Sequence, residues 1–192
     1  IRRIIEEGRL HTAESPGTFS EQNIHAEYID RVAKDLTLQR PVKMVLDAGN
    51  GVAGPIAGDA LRAIGAEVVE LYCEPDGTYP NHHPDPTIPK NLEMLIATVR
   101  KTGAEVGIAL DGDGDRIGAV DSNGRIIWGD ELLILYSEPI LARRPGEAIV
   151  FDVKCSSRLA DAIKSMGGRP VMSPTGHSLV RANLVKEKAP LA

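Results

Sequence analysis

The chain contains 192 residues, 42% of them hydrophobic, which is enough for one large or two small domains with a proper core. Its formal net charge is −5 and aromatic residues make up only 4%, so neither a basic nor a base-stacking surface for nucleic acid is indicated. No apolar stretch approaches the roughly 20 residues of a membrane span, and the first residues lack the pattern of a signal peptide. We therefore expect a cytoplasmic protein with no nucleic-acid or membrane partner, whose cysteines, Cys73 and Cys155, are unpaired.

Residues 1–20 are predicted to be the tail of a preceding domain that ends in the loop "HTAESPGTFS". The chain opens without a methionine and stops at "EKAPLA" without a turn or cap, so we expect a piece of a longer protein. Ser20 is predicted to cap a helix over about residues 21–38. The apolar side chains of this helix at helical spacing are Ile24, Tyr28, Val32 and Leu36.

The middle of the chain alternates short apolar segments with amphipathic ones. The segments "VKMVLD", "EVVELY" and "EVGIAL" are predicted strands, and helices are predicted after "AGNGVAG" and over about residues 89–102. A proline-rich loop, "CEPDGTYPNHHPDPTIP", precedes the second of these helices. The resulting β-α-β-α-β order predicts a mostly parallel sheet covered by helices.

A hairpin is predicted in "IGAVDSNGRIIW", with Asn123 and Gly124 at its turn. A helix over about residues 129–143 follows, and we expect Pro139 to kink it or end it early. The strand "AIVFDV" then begins another run of strand, helix and strand.

These elements form two consecutive and similar α/β units with mixed, mostly parallel sheets covered by helices. The first unit is predicted over residues 21–126 and the second over residues 127–192. The second unit has two strands and three helices, which is too few strands to close its own sheet. We therefore expect the second unit to be incomplete.

The segment "LDGDGDR" places three aspartates at alternate positions, Asp111, Asp113 and Asp115. Two carboxylates ~4 Å apart repel by about 4 kcal/mol at an effective dielectric constant near 20, so such a cluster needs compensating charge. In an extended segment these side chains point to one side, and the glycines between them let the backbone curl. All-oxygen ligands suit Mg²⁺ or Ca²⁺, so we interpret the segment as a cation-binding loop, with a solvated acidic turn as the alternative.

An EF-hand loop also begins with alternating aspartates, but this chain has Arg116 and Ser122 where that loop needs glycine and glutamate. Arg116 is better explained as a phosphate ligand, because a planar guanidinium beside a metal ion can clamp phosphoryl oxygens. Mg²⁺ takes few carboxylates and completes its coordination with phosphate or water. The segment therefore favours phosphoryl transfer.

A dinucleotide-binding oxidoreductase is a competing hypothesis. Gly49, Gly51 and Gly54 spell G-x-G-x-x-G between a predicted strand and a predicted helix, and Glu70 lies about 20 residues further on. A tight turn between strand and helix explains the same glycines without a ligand. The aspartate segment weighs against hydride transfer, which has no use for it.

An aspartyl-phosphate phosphatase is a third hypothesis, because "LDGDGD" is similar to the signature D-x-D-G-T/V. Asp111 would then be the nucleophile and Asp113 the general acid. Against this hypothesis, Asp115 stands where the signature has a small hydroxyl or apolar residue. The signature also usually lies on the first strand of a chain.

Four further side chains are candidates, each with a plainer alternative. His82 and His83 could bind a metal, although a stiff surface loop explains them more simply. His177, in "TGHSLV", starts a predicted helix, where either an anion site or a plain helix cap is expected. Lys154 follows the strand "AIVFDV", where sheet ends present functional groups, but taken alone it is better explained as an ordinary surface lysine.

Five segments in order closely resemble the bacterial phosphomannomutase/phosphoglucomutase family of the α-D-phosphohexomutase superfamily. They are "VLDAGNGVAG", "DGTYPNHHPDP", "ALDGDGDRIGAV", "FDVKCSSRL" and "GGRPVMSPTGHSLV". The resemblance covers the chain from about residue 20 onward, and "DGDGDR" is highly specific to the superfamily. It implies four domains around one cleft, of which this chain would hold the end of the first, the second and the start of the third.

The resemblance implies an isomerase that moves a phosphoryl group between O1 and O6 of a hexose. Its partners would be glucose 1-phosphate, mannose 1-phosphate and the hexose 1,6-bisphosphate, and we expect a monomer. A phosphoserine would donate the phosphoryl group and receive one back.

The resemblance also implies roles for individual residues. The implied ligands of Mg²⁺ are Asp111, Asp113 and Asp115. Arg116 and His177 are implied to be catalytic, Arg116 at the phosphoryl group and His177 in proton transfer. Lys154, together with these two, is implied to bind the sugar phosphate.

Three parts of the family pattern are missing from the sequence. The serine motif similar to "TASHNP" is absent, and "HTAESPGT" does not replace it. The sugar-reading loop similar to "GEMSGH" and the fourth domain are absent too. We therefore expect the chain by itself to be inactive.

Overall fold

The computed structural model describes residues 1–11, 13–15 and 17–192. Two residues of the predicted loop over 11–20, Thr12 and Pro16, lie outside the described residues. The helices are α1 Arg2–Glu6, α2 His25–Asp35, α3 Gly54–Ala63, α4 Glu93–Thr102, α5 Gly129–Arg143, α6 Ser157–Ser165 and α7 His177–Glu187. The strands are β1 Val42–Asp47, β2 Ala66–Leu71, β3 Val106–Leu110, β4 Ile117–Asp121, β5 Ile126–Ile127, β6 Ala148–Asp152 and β7 Arg169–Ser173. Within the described part of the chain, no helix combines the length and the apolarity that crossing a membrane requires.

The first sheet has five strands in the order β2-β1-β3-β4-β5. β1 pairs in parallel with β2 and β3, whereas β4 pairs antiparallel with β3 and β5. The last four residues of β1 are buried, as expected for a central parallel strand covered on both faces. One core of this sheet is formed by Val45, Leu92, Leu95, Val99, Ala104, Ala109 and Val120. The predicted α/β fold with helices covering a mostly parallel sheet is confirmed, with antiparallel strands at one edge.

The second sheet contains β6 and β7, which pair in parallel. Its main core is formed by Leu141, Ile149, Phe151, Leu159 and Ile163. Near the end of the chain, Leu191 forms an isolated parallel bridge with Ile149, and its carbonyl accepts from the N–H of Val150 at 3.1 Å. The predicted two strands and three helices are all present here.

The helix predicted from residue 21 begins later, because Ser20 does not cap it. α2 starts at His25, whose N–H donates to Oδ1 of Asn23 at 2.9 Å. The amide oxygen of Asn23 satisfies this first N–H, while Ile24, at the cap position, makes no side-chain capping hydrogen bond. None of the residues of α2 is buried, so packing does not extend the helix either.

Pro139 does not end its helix early, since α5 continues to Arg143. The proline lacks one backbone N–H, but the following turn is held by packing, because Leu141 is 1% exposed. The side chain of Arg143 also donates from Nε to the carbonyl of Pro139 at 2.9 Å. Tertiary contacts therefore outweigh the local effect of the proline.

The predicted hairpin is present between β4 and β5, but its turn differs from the tight two-residue form. The N–H of Gly124 donates to the carbonyl of Asp121 at 2.9 Å, and Gly124 has a φ of +80°. Asp121 also pairs with Arg125 through a backbone hydrogen bond of 2.9 Å. The connection is thus a three-residue loop that ends on a left-handed glycine.

Candidate metal centre

The candidate metal centre lies at the carboxyl ends of β1 and β3, which are adjacent parallel strands. Asp47 is the last residue of β1, and Asp111 directly follows the last residue of β3. Both carboxylates therefore lie at the same edge of the sheet, where parallel α/β folds place their ligands. We call residues 111–116, which connect β3 to β4, the aspartate loop.

The aspartate loop is a turn, and the extended segment expected from its alternating aspartates is not observed. The N–H of Gly114 donates to the carbonyl of Asp111 at 3.1 Å, and Gly114 has a φ of +77°. The N–H of Asp111 donates to the carbonyl of Arg116 at 3.3 Å, which closes the loop as an antiparallel hairpin. The carboxylates converge because the chain folds back, and glycine permits the left-handed position that this requires.

The three predicted metal ligands are brought together. Each of Asp111, Asp113 and Asp115 offers one oxygen, and these atoms lie within 4.8 Å of one another. Repulsion from Asp113, and then from Asp111, raises the pKa of Asp115. Three converging carboxylate oxygens that repel one another are a donor set that fits a hard divalent cation such as Mg²⁺.

Arg116 is held against this cluster by its neighbour Asp111. Its backbone N–H donates to Oδ1 of Asp111 at 2.9 Å, and its Nε donates to Oδ2 at 2.8 Å. Burial raises the pKa of Asp111, but these hydrogen bonds outweigh burial and hold it below its usual value. The Arg116 side chain is 55% exposed, so part of the guanidinium remains accessible to an anion.

The glycine-rich turn before α3 packs against the protein itself, which argues against a dinucleotide there. A Cβ at Gly51 would lie 2.8 Å from the carbonyl oxygen of Gly112, and one at Gly54 would lie 2.2 Å from that of Cys73. A Cβ at Gly49 would meet Pro84 at 2.9 Å.

The backbone of the same turn and its acidic partner are engaged as well. The N–H groups of residues 49–52 donate to Asp47, Tyr72, Ala48 and Gly112. Glu70, the residue that would bind a ribose, instead pairs with Nη2 of Arg62 at 2.7 Å. The turn therefore offers a pyrophosphate neither space nor these donors.

The phosphatase hypothesis is not favoured by the geometry of its proposed nucleophile. The Asp111 side chain is 2% exposed, and both of its oxygens accept hydrogen bonds from Arg116. A carboxylate that attacks phosphorus needs an accessible oxygen. Asp111 instead joins the metal cluster to Arg116.

The histidines of the proline-rich loop do not form a metal cluster among the described residues. His82 places Nε2 3.1 Å from both carboxylate oxygens of Asp47, whose side chain is fully buried. Burial raises the pKa of Asp47, and the charge of His82 opposes that shift. The exposed ring of His83 packs edge-on against Tyr79.

Two acidic residues near the centre were missed by the sequence reasoning, Asp47 and Asp85. Asp47 is the last residue of β1, and Asp111 directly follows β3. This shared position at the end of a strand could have indicated Asp47 from the sequence. Asp85 Oδ1 lies 3.6 Å from Nη1 of Arg116. No motif or spacing in the sequence predicts that contact.

Lys154 and His177 lie at the end of the second sheet, where both are exposed. The N–H of Lys154 donates to Oδ1 of Asp152 at 2.8 Å, and the hydroxyl of Thr175 donates to the same oxygen at 2.8 Å. His177 opens α7 and, with Asp152, lines a surface cavity of about 640 Å³. Among the described residues, no hydrogen bond or ion pair links Lys154 or His177 to the aspartate loop.

Two family models together match most of this chain. Residues 26–124 match the family described as phosphoglucomutase/phosphomannomutase, alpha/beta/alpha domain II, and residues 128–192 match domain III. The chain is 46% identical over 192 residues to a phosphomannomutase/phosphoglucomutase of Pseudomonas aeruginosa, covering 100% of this chain and 41% of the relative. It is 44% identical over 189 residues to a phosphoglucomutase of Neisseria meningitidis, covering 98% of this chain and 41% of the relative.

A solved structure of a phosphoglucomutase/phosphomannomutase family protein from Burkholderia thailandensis is similar over 98% of this chain and 41% of that chain. The TM-score is 0.89 and the sequence identity is 46%. The chain therefore spans about two fifths of the length of these relatives. Because two family domains together match most of its residues, the chain belongs to the phosphoglucomutase/phosphomannomutase family.

Proposed function

We propose that this chain is the central part of a longer, Mg²⁺-dependent phosphohexomutase that interconverts hexose 1-phosphates and hexose 6-phosphates. The observation that carries the proposal is the convergence of three carboxylate oxygens within 4.8 Å beside Arg116, in a chain of this family. The named relatives support mutase activity on glucose and mannose phosphates. Their greater length supports the proposal that this chain is a part.

Mg²⁺ is proposed to be held by Asp111, Asp113 and Asp115. When bound, the ion would neutralise the charge of the transferred phosphoryl group. The half-exposed guanidinium of Arg116 is proposed to donate to the phosphoryl oxygens, because its bond to Asp111 uses Nε and its Nη2 forms no ion pair among the described residues. Asp111 thus orients Arg116 and supplies one ligand oxygen.

Lys154 and His177 are proposed to bind the sugar phosphate from the second sheet. Both lie near Asp152, whose carboxylate accepts from the backbone N–H of Lys154 and from the hydroxyl of Thr175. An ammonium group and a helix N-terminus both favour a phosphate. His177 is further proposed to take part in proton transfer.

The proposed reaction uses a phosphoserine that these 192 residues do not supply in the expected motif. A sugar hydroxyl attacks its phosphorus, the bond from phosphorus to the serine oxygen breaks, and the hydroxyl proton passes to a base. The resulting 1,6-bisphosphate then returns its other phosphoryl group to the serine, and the proton returns to the freed sugar oxygen. We propose residues 21–126 as the metal-binding domain and residues 127–192 as part of the sugar-binding domain. Without the phosphoserine, the chain alone would not catalyse the mutase reaction.

A coupled mutase assay on the full-length protein tests this function. Glucose 1-phosphate and mannose 1-phosphate are compared with Mg²⁺ and a trace of hexose 1,6-bisphosphate, for wild type, Asp113→Asn and the control Asp161→Asn. Asp161 is chosen because its exposed carboxylate lies on α6 and contacts only Lys164, at 4.0 Å, among the described ion pairs. We expect turnover of both sugars that Asp113→Asn abolishes and Asp161→Asn preserves. Conversion of neither sugar by the wild type would contradict the proposal.

A further inference from the structure

The proline-rich loop, residues 73–89, contains two nearly identical turns. The carboxylate of Asp76 accepts from the N–H of Thr78 at 2.9 Å and from its hydroxyl at 2.7 Å. The carboxylate of Asp85 accepts from the N–H of Thr87 at 3.0 Å and from its hydroxyl at 2.7 Å. These hydrogen bonds lower the pKa of both aspartates, so both are ionised near neutral pH. Local structure therefore does not distinguish the two residues.

Their surroundings do distinguish them. Asp85 lies 3.6 Å from Nη1 of Arg116, while Asp111 binds Nε of the same guanidinium at 2.8 Å. Asp76 is exposed and forms no ion pair among the described residues. Arg116 thus lies between the two loops: Asp111 and, at 3.8 Å, Asp115 of the aspartate loop face its Nε, and Asp85 of the proline-rich loop faces its Nη1.

The backbone on either side of Asp85 is fixed in place. Pro84 and Pro86 are both buried, and a Cβ at Gly118 would lie only 2.7 Å from Cβ of Pro86. The side chain of Asn91 donates to the carbonyl of Asp85 at 3.0 Å. Proline also fixes φ on both sides, so Asp85 has little freedom to move away from Arg116.

The loop as a whole is anchored to the turn after β1. His82 binds the buried carboxylate of Asp47 at 3.1 Å, and Asn81 donates from Nδ2 to Oδ1 of Asn50 at 2.8 Å. Asn50 in turn donates from Nδ2 to the carbonyl of Glu74 at 2.8 Å. Contacts near the start and in the middle of the loop therefore help to set the position of Asp85.

We propose that Asp85 is a positioning residue for Arg116. The carboxylates of the aspartate loop face only Nε, which leaves the guanidinium plane free to turn, and the ion pair of Nη1 with Asp85 at 3.6 Å favours one orientation of that plane. Arg116 then presents its remaining N–H groups to the phosphoryl group without reorganisation during the transfer. The consequence for catalysis rests on the proposed mutase function, whereas the coupling between the two side chains does not.

The test is a double-mutant cycle in the full-length enzyme. Asp85→Asn removes the charge but keeps an oxygen that can accept from Thr87, and Asp76→Asn is the matched control. We expect Asp85→Asn to lower kcat/KM about tenfold, mainly through kcat, and Asp76→Asn to change it less than about twofold. In an Arg116→Gln background, Asp85→Asn should have less than about a twofold further effect.

Equal effects of Asp85→Asn and Asp76→Asn, or the same tenfold loss in the Arg116→Gln background, would overturn the proposal. If Arg116→Gln does not fold, Arg116→Lys serves as the background, because lysine lacks the planar fork that reaches both carboxylates. An inactive wild type would refute the mutase function alone. The free energies of unfolding of the same variants are then measured in urea. Coupling of position 116 to position 85 but not to position 76 supports the positioning role, and the absence of coupling overturns it.

Discussion

The two sheets hold their candidate functional side chains in different ways. At the first sheet, Asp111 is buried and both of its oxygens are bonded to Arg116, which the carboxylate of Asp85 also approaches. At the second sheet, only the backbone of Lys154 is held, and the described hydrogen bonds and ion pairs include none from the side chains of Lys154 and His177. The first sheet therefore presents a site that the chain itself orders, whereas the second presents side chains that a ligand would have to order.

The burial of polar groups follows the same division. Among the described residues, the buried acidic side chains, Asp47 and Asp111, both lie at the first sheet, and the second sheet buries only the hydroxyls of Ser137 and Ser173. A buried carboxylate is tolerated only when it is paired and hydrogen-bonded. The order of the first site consequently depends on particular partners, which can be removed one at a time.

The largest expected effect comes from breaking the buried pair of Asp47 and His82. His82→Ala leaves a fully buried carboxylate without its main partner, so we expect the free energy of unfolding to fall by about 3 kcal/mol. Urea denaturation measures this value, and His83→Ala is the control, because its exposed ring contacts only Tyr79 in aromatic packing. Equal stability losses for the two variants would contradict the anchoring role of His82.

The glycines that open α3 and α5 give the next comparison between the two regions. A Cβ at Gly54 would lie 2.2 Å from the carbonyl oxygen of Cys73, whereas a Cβ at Gly129 would meet nothing within 4 Å. We expect Gly54→Ala to destabilise by about 2 kcal/mol through overpacking. Gly129→Ala should be neutral or stabilising by up to about 1 kcal/mol, because alanine is the better helix former. Thermal unfolding of both variants measures these changes in stability. A Gly54→Ala variant as stable as the wild type would show that the turn before α3 is not tightly packed.

The smallest effect concerns the two free cysteines, one in each region. Burial, assisted by the charge of Glu70, raises the pKa of the Cys73 thiol from 9.0 to about 11. Because the folded pKa is the higher one, this group contributes stability below pH 9.0, and the contribution is lost as the pH rises toward about 11. We expect iodoacetamide at pH 8 to label Cys155 faster than Cys73 in the folded protein, with similar rates in urea. Faster labelling of Cys73 would contradict its burial.

Much of the fold could be predicted from the sequence, because short local patterns indicate most of its strands and helices. Strands such as "VKMVLD" and "AIVFDV" are short apolar runs, and burial on both faces produces that pattern directly. The exceptions are the start of α2 and the continuation of α5 past Pro139. They depend on the hydrogen bond from His25 to Asn23 and on the burial of Leu141. Neither is visible in hydrophobic periodicity.

Only part of the candidate site could be predicted from the sequence. The three aspartates and Arg116 are close in sequence, so their convergence followed from charge repulsion and ligand chemistry, although the loop that achieves it is a turn. Asp85 approaches Arg116 across 31 positions (116 − 85), and His82 meets Asp47 across 35. Such contacts depend on which strands are neighbours and on the conformation that the prolines impose on the loop. Neither can be predicted from the spacing of residues in the sequence.

A calorimetric titration of the full-length protein with Mg²⁺ tests most directly the proposed Mg²⁺ site in the aspartate loop. Asp113→Asn is the informative variant, because Asp113 is exposed and its loss should not disturb the fold. We predict one Mg²⁺ site in the wild type and in Asp161→Asn, and binding at least about tenfold weaker in Asp113→Asn. Equal Mg²⁺ affinity of the wild type and Asp113→Asn, or no binding by the wild type, would contradict the account.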